Sequence, residues 1–353
     1  MDALRRGGRV AECTSLLRTR LGNWSEGSNP SLSATLVHIS KLIMILNTSD
    51  KIIVCAESFL KSEKLCAIIR EKFSCVTFAS HAEISDPNFF GGGVKAIICG
   101  KELVDERFLK KFPELRVISK YGVGLDAINM EACEAAGVKV LSRPGVNKRC
   151  VAELALGYML MLFHNIPATS SAMKRGEWIK NGGRNLENKT IGILGLGNIG
   201  MELLQLLVPL NVQVLGVDIV DKSNLENIFQ NLTIVDLNIL ISKSDLISIH
   251  TPLTSKTAGL FSEQLLSKMK KGAYLINTAR GGIVDEVALE ACIINGAIGG
   301  AALDVYSEEP NRSSLVTSLD NVLASPHIGG NSEEAVDAMG RAAIEMLLCE
   351  AEF

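Results

Sequence analysis

The sequence lacks the features that mark several classes of protein. Its nine cysteines are odd in number and form no Cys-x-x-Cys pair, which argues against a disulfide framework or a zinc site. The formal net charge of −3 gives no electrostatic basis for binding nucleic acid or an acidic membrane surface. The most apolar stretch, residues 152–166, is shorter than the roughly 20 residues that a membrane span needs. We therefore expect a cytoplasmic protein with no metal, nucleic-acid or membrane partner.

The first 43 residues differ from the rest of the chain. They contain five arginines, several serines and no hydrophobic period, a composition typical of a transit peptide. Codons for residues 26–30 can also spell the T-arm sequence of a transfer RNA gene. This second interpretation is preferred, and it predicts a translation start near Met44. No fold and no function are assigned to residues 1–43.

The rest of the chain alternates short β-rich runs with helical runs, in two series separated by an apolar helix near residues 151–164. Such alternation predicts parallel sheets covered by helices, and 353 residues suit two domains. We predict an α/β protein with two doubly wound parallel-sheet domains, at residues 44–146 (completed by residues 329–353) and at residues 147–328. The predicted strands are at residues 51–56, 75–78, 95–99 and 116–119, and then at 190–194, 213–217, 245–249, 273–277, 299–303 and 322–324.

A glycine-rich segment follows the first strand of the second series. It reads Gly195-Leu-Gly197-Asn-Ile-Gly200, and a helical run begins directly after it. In such a turn the first glycine permits a tight bend, the second lets a pyrophosphate approach the backbone, and the third lets the helix pack against the strand. Free N–H groups at the helix start face the phosphates. The segment predicts a Rossmann dinucleotide-binding domain at residues 147–328, against the alternative of a purely structural turn.

Asp218 ends the next predicted strand. An acidic residue at this place accepts hydrogen bonds from the adenosine ribose hydroxyls and repels the 2′-phosphate of NADP. Asp221 adds to that repulsion, and residues 218–223 contain no arginine. The expected cofactor is therefore NAD rather than NADP.

Three further segments place charged residues after predicted strands. They contain Arg280, then Asp304 with Glu309, and then His327. Ligands of open α/β sheets bind beyond the carboxyl ends of the strands, which is where these residues fall. Each residue alone also has an ordinary interpretation, since a lone arginine is usually a surface charge and a lone histidine after proline is usually a loop residue.

These segments resemble the D-isomer-specific 2-hydroxyacid dehydrogenase family, from about Lys51 to the end of the chain. The resemblance implies an NAD-dependent oxidoreductase that interconverts a D-2-hydroxy acid and its 2-oxo acid. It also implies a flavodoxin-like substrate-binding domain at residues 44–146, a catalytic cleft between the domains and a homodimer. Further matching segments are Lys120-Tyr-Gly-Val-Gly124-Leu-Asp126, Pro144-Gly-Val-Asn147, Val151-Ala-Glu153 and His250-Thr-Pro252-Leu-Thr254.

The resemblance implies three catalytic residues. Arg280 would hold the substrate carboxylate with its planar guanidinium and help to polarise the group at C2. His327 would exchange a proton with the C2 oxygen as the hydride moves. Glu309 would bind the far nitrogen of His327 and fix its tautomer, and it is preferred to Glu308 because it directly precedes the proline. His250 is interpreted as scaffold or cofactor-side rather than as a proton-transfer residue.

The resemblance also implies the residues that bind the cofactor and the substrate. Asp304 would meet the nicotinamide carboxamide, and Val123 with Gly124 would present N–H groups to the substrate carboxylate. The full cofactor set is Gly195, Gly197, Asn198, Ile199, Gly200, Asp218, Thr251, Pro252, Thr278, Ala279, Asp304 and Gly329, and the substrate set is Val123, Gly124, Lys120, Lys101 and Arg143.

The first choice of substrate is 3-phosphoglycerate, oxidised to 3-phosphohydroxypyruvate for serine biosynthesis. Lys101, Lys120 and Arg143 are the basic residues that could contact its phosphate. Glyoxylate or hydroxypyruvate reduction is the alternative, and an NAD-sensing binding protein like the co-repressors of this fold is a remote one. Because the sequence ends at Phe353, we also expect no C-terminal serine-sensing domain.

Overall fold

The structure is a computed structural model that describes residues 46–311 and 315–351. The interpretation of residues 1–43 lies outside this described part of the chain. The chain divides into two compact units. The first contains the described residues up to Arg143 together with those from Gly340 onward, and the second is Pro144–Met339.

The first unit is built on a five-stranded parallel sheet of order β2-β1-β3-β4-β5. This is the order of flavodoxin-like doubly wound sheets. Its strands are β1 (Lys51–Val54), β2 (Cys75–Phe78), β3 (Val94–Cys99), β4 (Val117–Lys120) and β5 (Lys139–Leu141), and its helices are α1 (Glu57–Leu60), α2 (Glu63–Lys72), α3 (His81–Ser85), α4 (Glu106–Lys110) and α5 (Met130–Ala135).

Side-chain caps set where several of these helices begin. Ser62 accepts a hydrogen bond from the Leu65 N–H at the start of α2, so α2 begins after Ser62 as a helix separate from α1. Asp105 caps α4 in the same way through the Phe108 N–H. Each cap satisfies an N–H group that the first turn of a helix leaves unpaired.

The second unit is built on a seven-stranded parallel sheet of order β12-β11-β10-β9-β6-β7-β8. With the first unit, this confirms the predicted fold class of two parallel-sheet α/β domains. Its strands are β6 (Thr190–Leu194), β7 (Gln213–Val217), β8 (Leu232–Ile234), β9 (Leu246–Ile249), β10 (Ala273–Asn277), β11 (Ile298–Leu303) and β12 (Val322–Ala324). The helices that follow Arg143 are α6 (Lys148–Phe163), α7 (Ile166–Lys174), α8 (Asn198–Leu207), α9 (Leu237–Lys243), α10 (Glu263–Leu266), α11 (Glu286–Ile294) and α12 (Glu333–Ala351).

The apolar helix predicted at residues 151–164 is α6, and Asn165 ends it. Asn165 has a left-handed backbone with φ of 55°, and asparagine tolerates this conformation better than most residues. The next helix, α7, makes an angle of 69° with α6. Within the described residues no single helix is long and apolar enough to cross a membrane. The bent pair of α6 and α7, taken together, has the length and the apolar composition of a span.

The order of the second sheet determines where a ligand is bound. β6 lies between β7 and β9. The next two strands in sequence, β7 and β8, lie on one side of β6, and strands β9 to β12 lie on the other side. Ligands of such sheets bind beyond the carboxyl ends of the strands at this switch point. The residues that follow β6, β9, β10, β11 and β12 are therefore the candidates for a site.

Candidate active site

The glycine turn connects β6 to α8. Gly195 has φ of 97°, and a Cβ there would lie 2.7 Å from the His250 carbonyl oxygen. A Cβ on Gly200 would lie 3.0 Å from the Gly195 carbonyl carbon and 3.2 Å from Ile193 Cγ2. A Cβ on Gly197, the N-cap residue of α8, would meet nothing within 4 Å. Two glycines thus allow close packing, and the third faces open space at a helix N-terminus, as a phosphate site requires.

Asp218 follows β7 and binds the glycine turn. Its Oδ2 accepts a hydrogen bond of 2.7 Å from the Leu196 N–H, and its Oδ1 accepts one of 2.9 Å from the Val220 N–H. A carboxylate has about four lone-pair positions, so ribose hydroxyls still have acceptors at this residue. The carboxylate therefore holds the turn in shape and places negative charge beside it.

Buried polar atoms without a partner lie beyond β9 and β10. Thr251 Oγ1, Thr278 Oγ1 and His250 Nδ1 have no hydrogen-bond partner among the described residues. Thr251 Cγ2 lies 3.0 Å from the position of a Cβ on Gly195, so it lies against the glycine turn. Buried polar groups are usually satisfied, and a polar cofactor at this edge would supply partners. These residues fit a dinucleotide that extends from the turn across β9 and β10.

His250 is a neutral group inside this edge. Its Nε2 lies 2.8 Å from Ser248 Oγ, and burial lowers the pKa of His250 to about 4 because the charged imidazolium is poorly solvated there. A histidine that stays neutral at physiological pH can accept or donate one hydrogen bond at Nδ1 but carries no charge. Its role as a scaffold or cofactor-side residue stays a prediction.

Arg280 lies on the loop after β10. Its Nη1 donates a hydrogen bond of 2.6 Å to the Ala279 carbonyl, and Asn277 Nδ2 donates one of 2.8 Å to the Arg280 carbonyl. The loop packs closely on the backbone after β11, since a Cβ on Gly281 would overlap the Tyr306 carbonyl. Gly281 was absent from the predicted set, although its place in Arg280-Gly-Gly was a visible signal. It brings the Arg280 loop beside the segment that leads to Glu309.

Glu309 and His327 form the pair that the sequence predicts. Glu309 Oε2 lies 2.7 Å from His327 Nδ1, with the two side chains 31% and 39% exposed. Glu309 Oε1 accepts a hydrogen bond from the Tyr306 N–H, which fixes the carboxylate. An ionised carboxylate only accepts, so His327 Nδ1 carries the proton and Nε2 is left to exchange one. The carboxylate thereby orients the imidazole, and the role of His327 in proton transfer stays a prediction.

Asp304 is 1% exposed and holds the loop that carries His327. Its Oδ1 accepts a hydrogen bond of 2.8 Å from the Ile328 N–H and another from Ser325 Oγ. Its Oδ2 accepts one of 2.7 Å from the Gly329 N–H. One lone-pair position of Oδ2 remains, which is enough for the predicted carboxamide contact. Asp304 is therefore tied to the histidine loop as well as to the cofactor edge.

The other predicted cofactor residues lie at the same edge of the second unit. Asn198 and Ile199 begin α8, Pro252 follows Thr251, and Ala279 directly precedes Arg280. Gly329 packs against Asp304, since a Cβ on it would lie 2.9 Å from Asp304 Oδ2.

The predicted substrate residues lie at or after the carboxyl ends of strands of the first unit. Lys101 is exposed after β3, and Val123 with Gly124 is half-buried in the loop after β4. Glu102, which the predicted set did not contain, is 3% exposed, and its Oε2 accepts a 2.5 Å hydrogen bond from the Gly100 N–H. The buried carboxylate fixes the turn that presents Lys101.

Lys120 and Arg143 are engaged inside the first unit. Lys120 is 8% exposed, and its ammonium donates hydrogen bonds to the Gly100 and Tyr121 carbonyls. Arg143 Nη1 lies 2.7 Å from Glu345 Oε2 on α12. Exposed ion pairs are weak, so Arg143 is less firmly held than Lys120.

Known proteins resemble this chain in sequence and in fold. Residues 156–329 match the family model described as D-isomer specific 2-hydroxyacid dehydrogenase, NAD binding domain. The chain is 39% identical over 252 residues to a glyoxylate reductase of Thermofilum pendens, covering 69% of this chain and 74% of that protein. It is 36% identical to a hydroxypyruvate reductase of Thermotoga maritima, covering 67% and 78%.

A third relative is a D-3-phosphoglycerate dehydrogenase of Methanocaldococcus jannaschii, 37% identical over 242 residues. The match covers 68% of this chain, but it spans only 46% of that relative's length. Among solved structures, an NAD-dependent formate dehydrogenase of Staphylococcus aureus in complex with NAD superposes with a TM-score of 0.74 at 27% identity, covering 84% of this chain and 94% of that one. A protein of Thermus thermophilus superposes with a TM-score of 0.75 at 27% identity, covering 84% and 96%. The chain belongs to the D-isomer specific 2-hydroxyacid dehydrogenase family.

Proposed function

We propose that the protein is an NAD-dependent dehydrogenase that interconverts a D-2-hydroxy acid and its 2-oxo acid. The observation that carries the proposal is the His327–Glu309 pair at 2.7 Å, on the same sheet edge as Arg280 and the glycine turn. A proton-transfer group, a carboxylate-binding group and a dinucleotide site are what this reaction needs.

In the direction of oxidation, the substrate carboxylate pairs with the Arg280 guanidinium, which places C2 near His327. The bound nicotinamide supplies the hydride acceptor for the hydrogen on C2. His327 Nε2 accepts the hydroxyl proton as the C2–O bond becomes a carbonyl. Glu309 stabilises the imidazolium that forms, because it is hydrogen-bonded at Nδ1. In the reverse direction the same nitrogen returns the proton.

For the substrate, we propose 3-phosphoglycerate first. A curated relative of that activity shares 37% identity, and exposed Lys101 is held by the Glu102 turn at the edge of the first sheet. The second candidate is glyoxylate or hydroxypyruvate, and the engagement of Lys120 and Arg143 favours it. With those two cations hydrogen-bonded inside the protein, a phosphate has fewer basic contacts, whereas a small 2-oxo acid needs none beyond Arg280.

A paired measurement separates the two substrates. Steady-state rates with both are compared for the wild type and for Lys101→Ala. If 3-phosphoglycerate is the substrate, loss of one phosphate-pairing cation raises its KM by about tenfold and leaves the kinetics with glyoxylate unchanged. Robust turnover of glyoxylate or hydroxypyruvate alone, insensitive to Lys101→Ala, establishes the second candidate.

The cofactor preference and the assembly state are part of the same proposal. NAD is preferred to NADP because Asp218 is charged and lies at the glycine turn. The protein forms a homodimer, and its mass in analytical ultracentrifugation tests this. Protein that binds NADH but turns over no 2-hydroxy acid would instead favour an NAD-sensing binding protein.

A further inference from the structure

A chain of side-chain hydrogen bonds connects α6 to the loop of His327. Tyr158 on α6 is 6% exposed, and its hydroxyl is hydrogen-bonded to Ser325 Oγ. Ser325 Oγ is in turn hydrogen-bonded to Asp304 Oδ1. The three residues come from α6 and from the segments after β12 and β11, so the contact is not a local feature of one loop.

The available protons determine which group donates in each of these hydrogen bonds. The Asp304 carboxylate accepts, so Ser325 must use its single hydroxyl proton toward Asp304. Ser325 then has only lone pairs to offer, and Tyr158 must donate to it. Burial raises the pKa of Tyr158, so the phenol keeps the proton that this arrangement requires. Each hydroxyl therefore polarises the next one toward the carboxylate.

Asp304, the last residue in this series of hydrogen bonds, holds the backbone conformation around His327. Asp304 accepts the N–H groups of Ile328 and Gly329, the two residues that follow the histidine. His327 itself has φ of 55°, a left-handed conformation that costs a non-glycine residue energy unless its surroundings impose it. The Asp304 carboxylate is one of the groups that impose it.

We propose that Tyr158 is a positioning residue: through Ser325 it orients the Asp304 carboxylate, which holds His327 in the geometry for proton transfer. The proposal rests on the proposed function, because the transfer it serves is that of the dehydrogenase. The hydroxyl of Tyr158, rather than the packing of its ring, carries the effect. Ser325 binds Oδ1 of Asp304, whereas the lone-pair position predicted for the carboxamide is on Oδ2. Tyr158 should therefore influence turnover and leave NAD affinity nearly unchanged.

The test compares two tyrosine variants that each lose one hydroxyl. Tyr158→Phe removes the first donor of the chain and keeps the ring. Tyr274→Phe is the matched control, because it removes a tyrosine hydroxyl near the amino-terminal end of β10. It keeps the aromatic ring, whose centroid lies 5.3 Å from that of Phe163. Ser325→Ala interrupts the chain at its centre, and Ser325→Thr restores a hydroxyl there.

Loss of one buried hydrogen bond predicts that kcat falls by about fivefold in Tyr158→Phe, with KM for NAD changed less than about twofold. Tyr274→Phe and Ser325→Thr retain wild-type kcat. In Tyr158→Phe/Ser325→Ala the two losses do not add, because both act through Asp304. A kcat of Tyr158→Phe equal to that of the control, or an increase in KM for NAD alone, overturns the proposal.

A second readout is independent of turnover. Hydrogen exchange at the Ile328 and Gly329 amides should become faster in Tyr158→Phe and not in Tyr274→Phe, if the chain holds the carboxylate that accepts them. Should the wild type turn over no 2-hydroxy acid, the proposed function fails, and the exchange rates still decide whether Tyr158 positions the loop. Equal protection in both variants contradicts that role.

Discussion

The close packing at the glycine turn makes Gly200→Ala a sensitive perturbation. The new methyl group would lie 3.0 Å from the Gly195 carbonyl carbon and 3.2 Å from Ile193 Cγ2, and closer still to the carbonyl oxygen. A backbone carbonyl cannot rotate away as a side chain can. The strain is relieved only if α8 moves away from β6, which also displaces the N–H groups at the helix start.

The expected cost follows from two opposing effects. Overpacking of a tight contact costs typically about 1–3 kcal/mol, and a rigid backbone neighbour places this case at the upper end. Alanine in place of glycine inside a helix returns about 1 kcal/mol. We therefore expect Gly200→Ala to lower the free energy of unfolding by about 2 kcal/mol, together with a loss of NAD affinity.

Gly197→Ala is the matched control. Its Cβ meets nothing within 4 Å and its φ is −78°, so the cost to stability should be only about 0.5 kcal/mol, that of a poorer N-cap. The methyl group would nevertheless occupy the space proposed for the pyrophosphate. NAD affinity should fall at least about tenfold, without the loss of stability seen in Gly200→Ala.

Urea denaturation followed by circular dichroism measures the first quantity, and calorimetric titration with NADH measures the second. Wild-type stability of Gly200→Ala would refute the packing argument. Wild-type NADH affinity of Gly197→Ala would refute the placement of the pyrophosphate.

Three further predictions concern charged or titratable groups. Asp218→Asn keeps an acceptor for the Leu196 N–H but removes the charge, so the ratio of kcat/KM for NAD over NADP should fall by about tenfold or more; a wild type that already prefers NADP would contradict the assignment. Glu309→Gln should lower kcat by about ten- to a hundredfold because the imidazolium loses its counter-charge, with NADH affinity retained; equal turnover in the variant would exclude this role. The folded-state pKa of His250 is depressed to about 4, so as the pH falls the imidazole takes up a proton in the unfolded chain before it does so in the folded protein. The contribution of neutral His250 to the free energy of unfolding is therefore fully present above about pH 6.5 and is lost as the pH falls toward 4. In His250→Gln the fall in unfolding free energy over this range should be smaller by up to about 3 kcal/mol, and an unchanged pH dependence by urea titration would count against the buried neutral imidazole.

The sequence was sufficient for features whose signal is local. Strands β6, β7 and β10 begin and end where their β-rich runs do, because each run is flanked by a turn or a helical pattern. The glycine turn was also predictable, since its glycines and the acid after β7 follow one another at fixed spacing. The short strands β5 and β8 were not predicted, because three residues give too little alternation to recognise.

What the sequence could not show depends on side-chain direction. Lys120 is the last residue of β4 and a candidate phosphate contact, but its ammonium turns inward to the Gly100 carbonyl. Arg143 pairs with Glu345, 202 residues away, and no local pattern predicts such a contact. The bond of Tyr158 to Ser325 is likewise a product of the packing of α6, since an apolar helix with a tyrosine predicts only burial.

The most direct test of the account is a substrate panel that offers the D and L isomers of 2-hydroxy acids with NAD while NADH formation is followed. We expect the wild type to oxidise a D isomer. We also expect loss of that activity in Arg280→Ala and His327→Ala, each of which should still bind NADH. Wild-type protein that binds NADH yet oxidises no D-2-hydroxy acid, or variants that keep wild-type turnover, would contradict it.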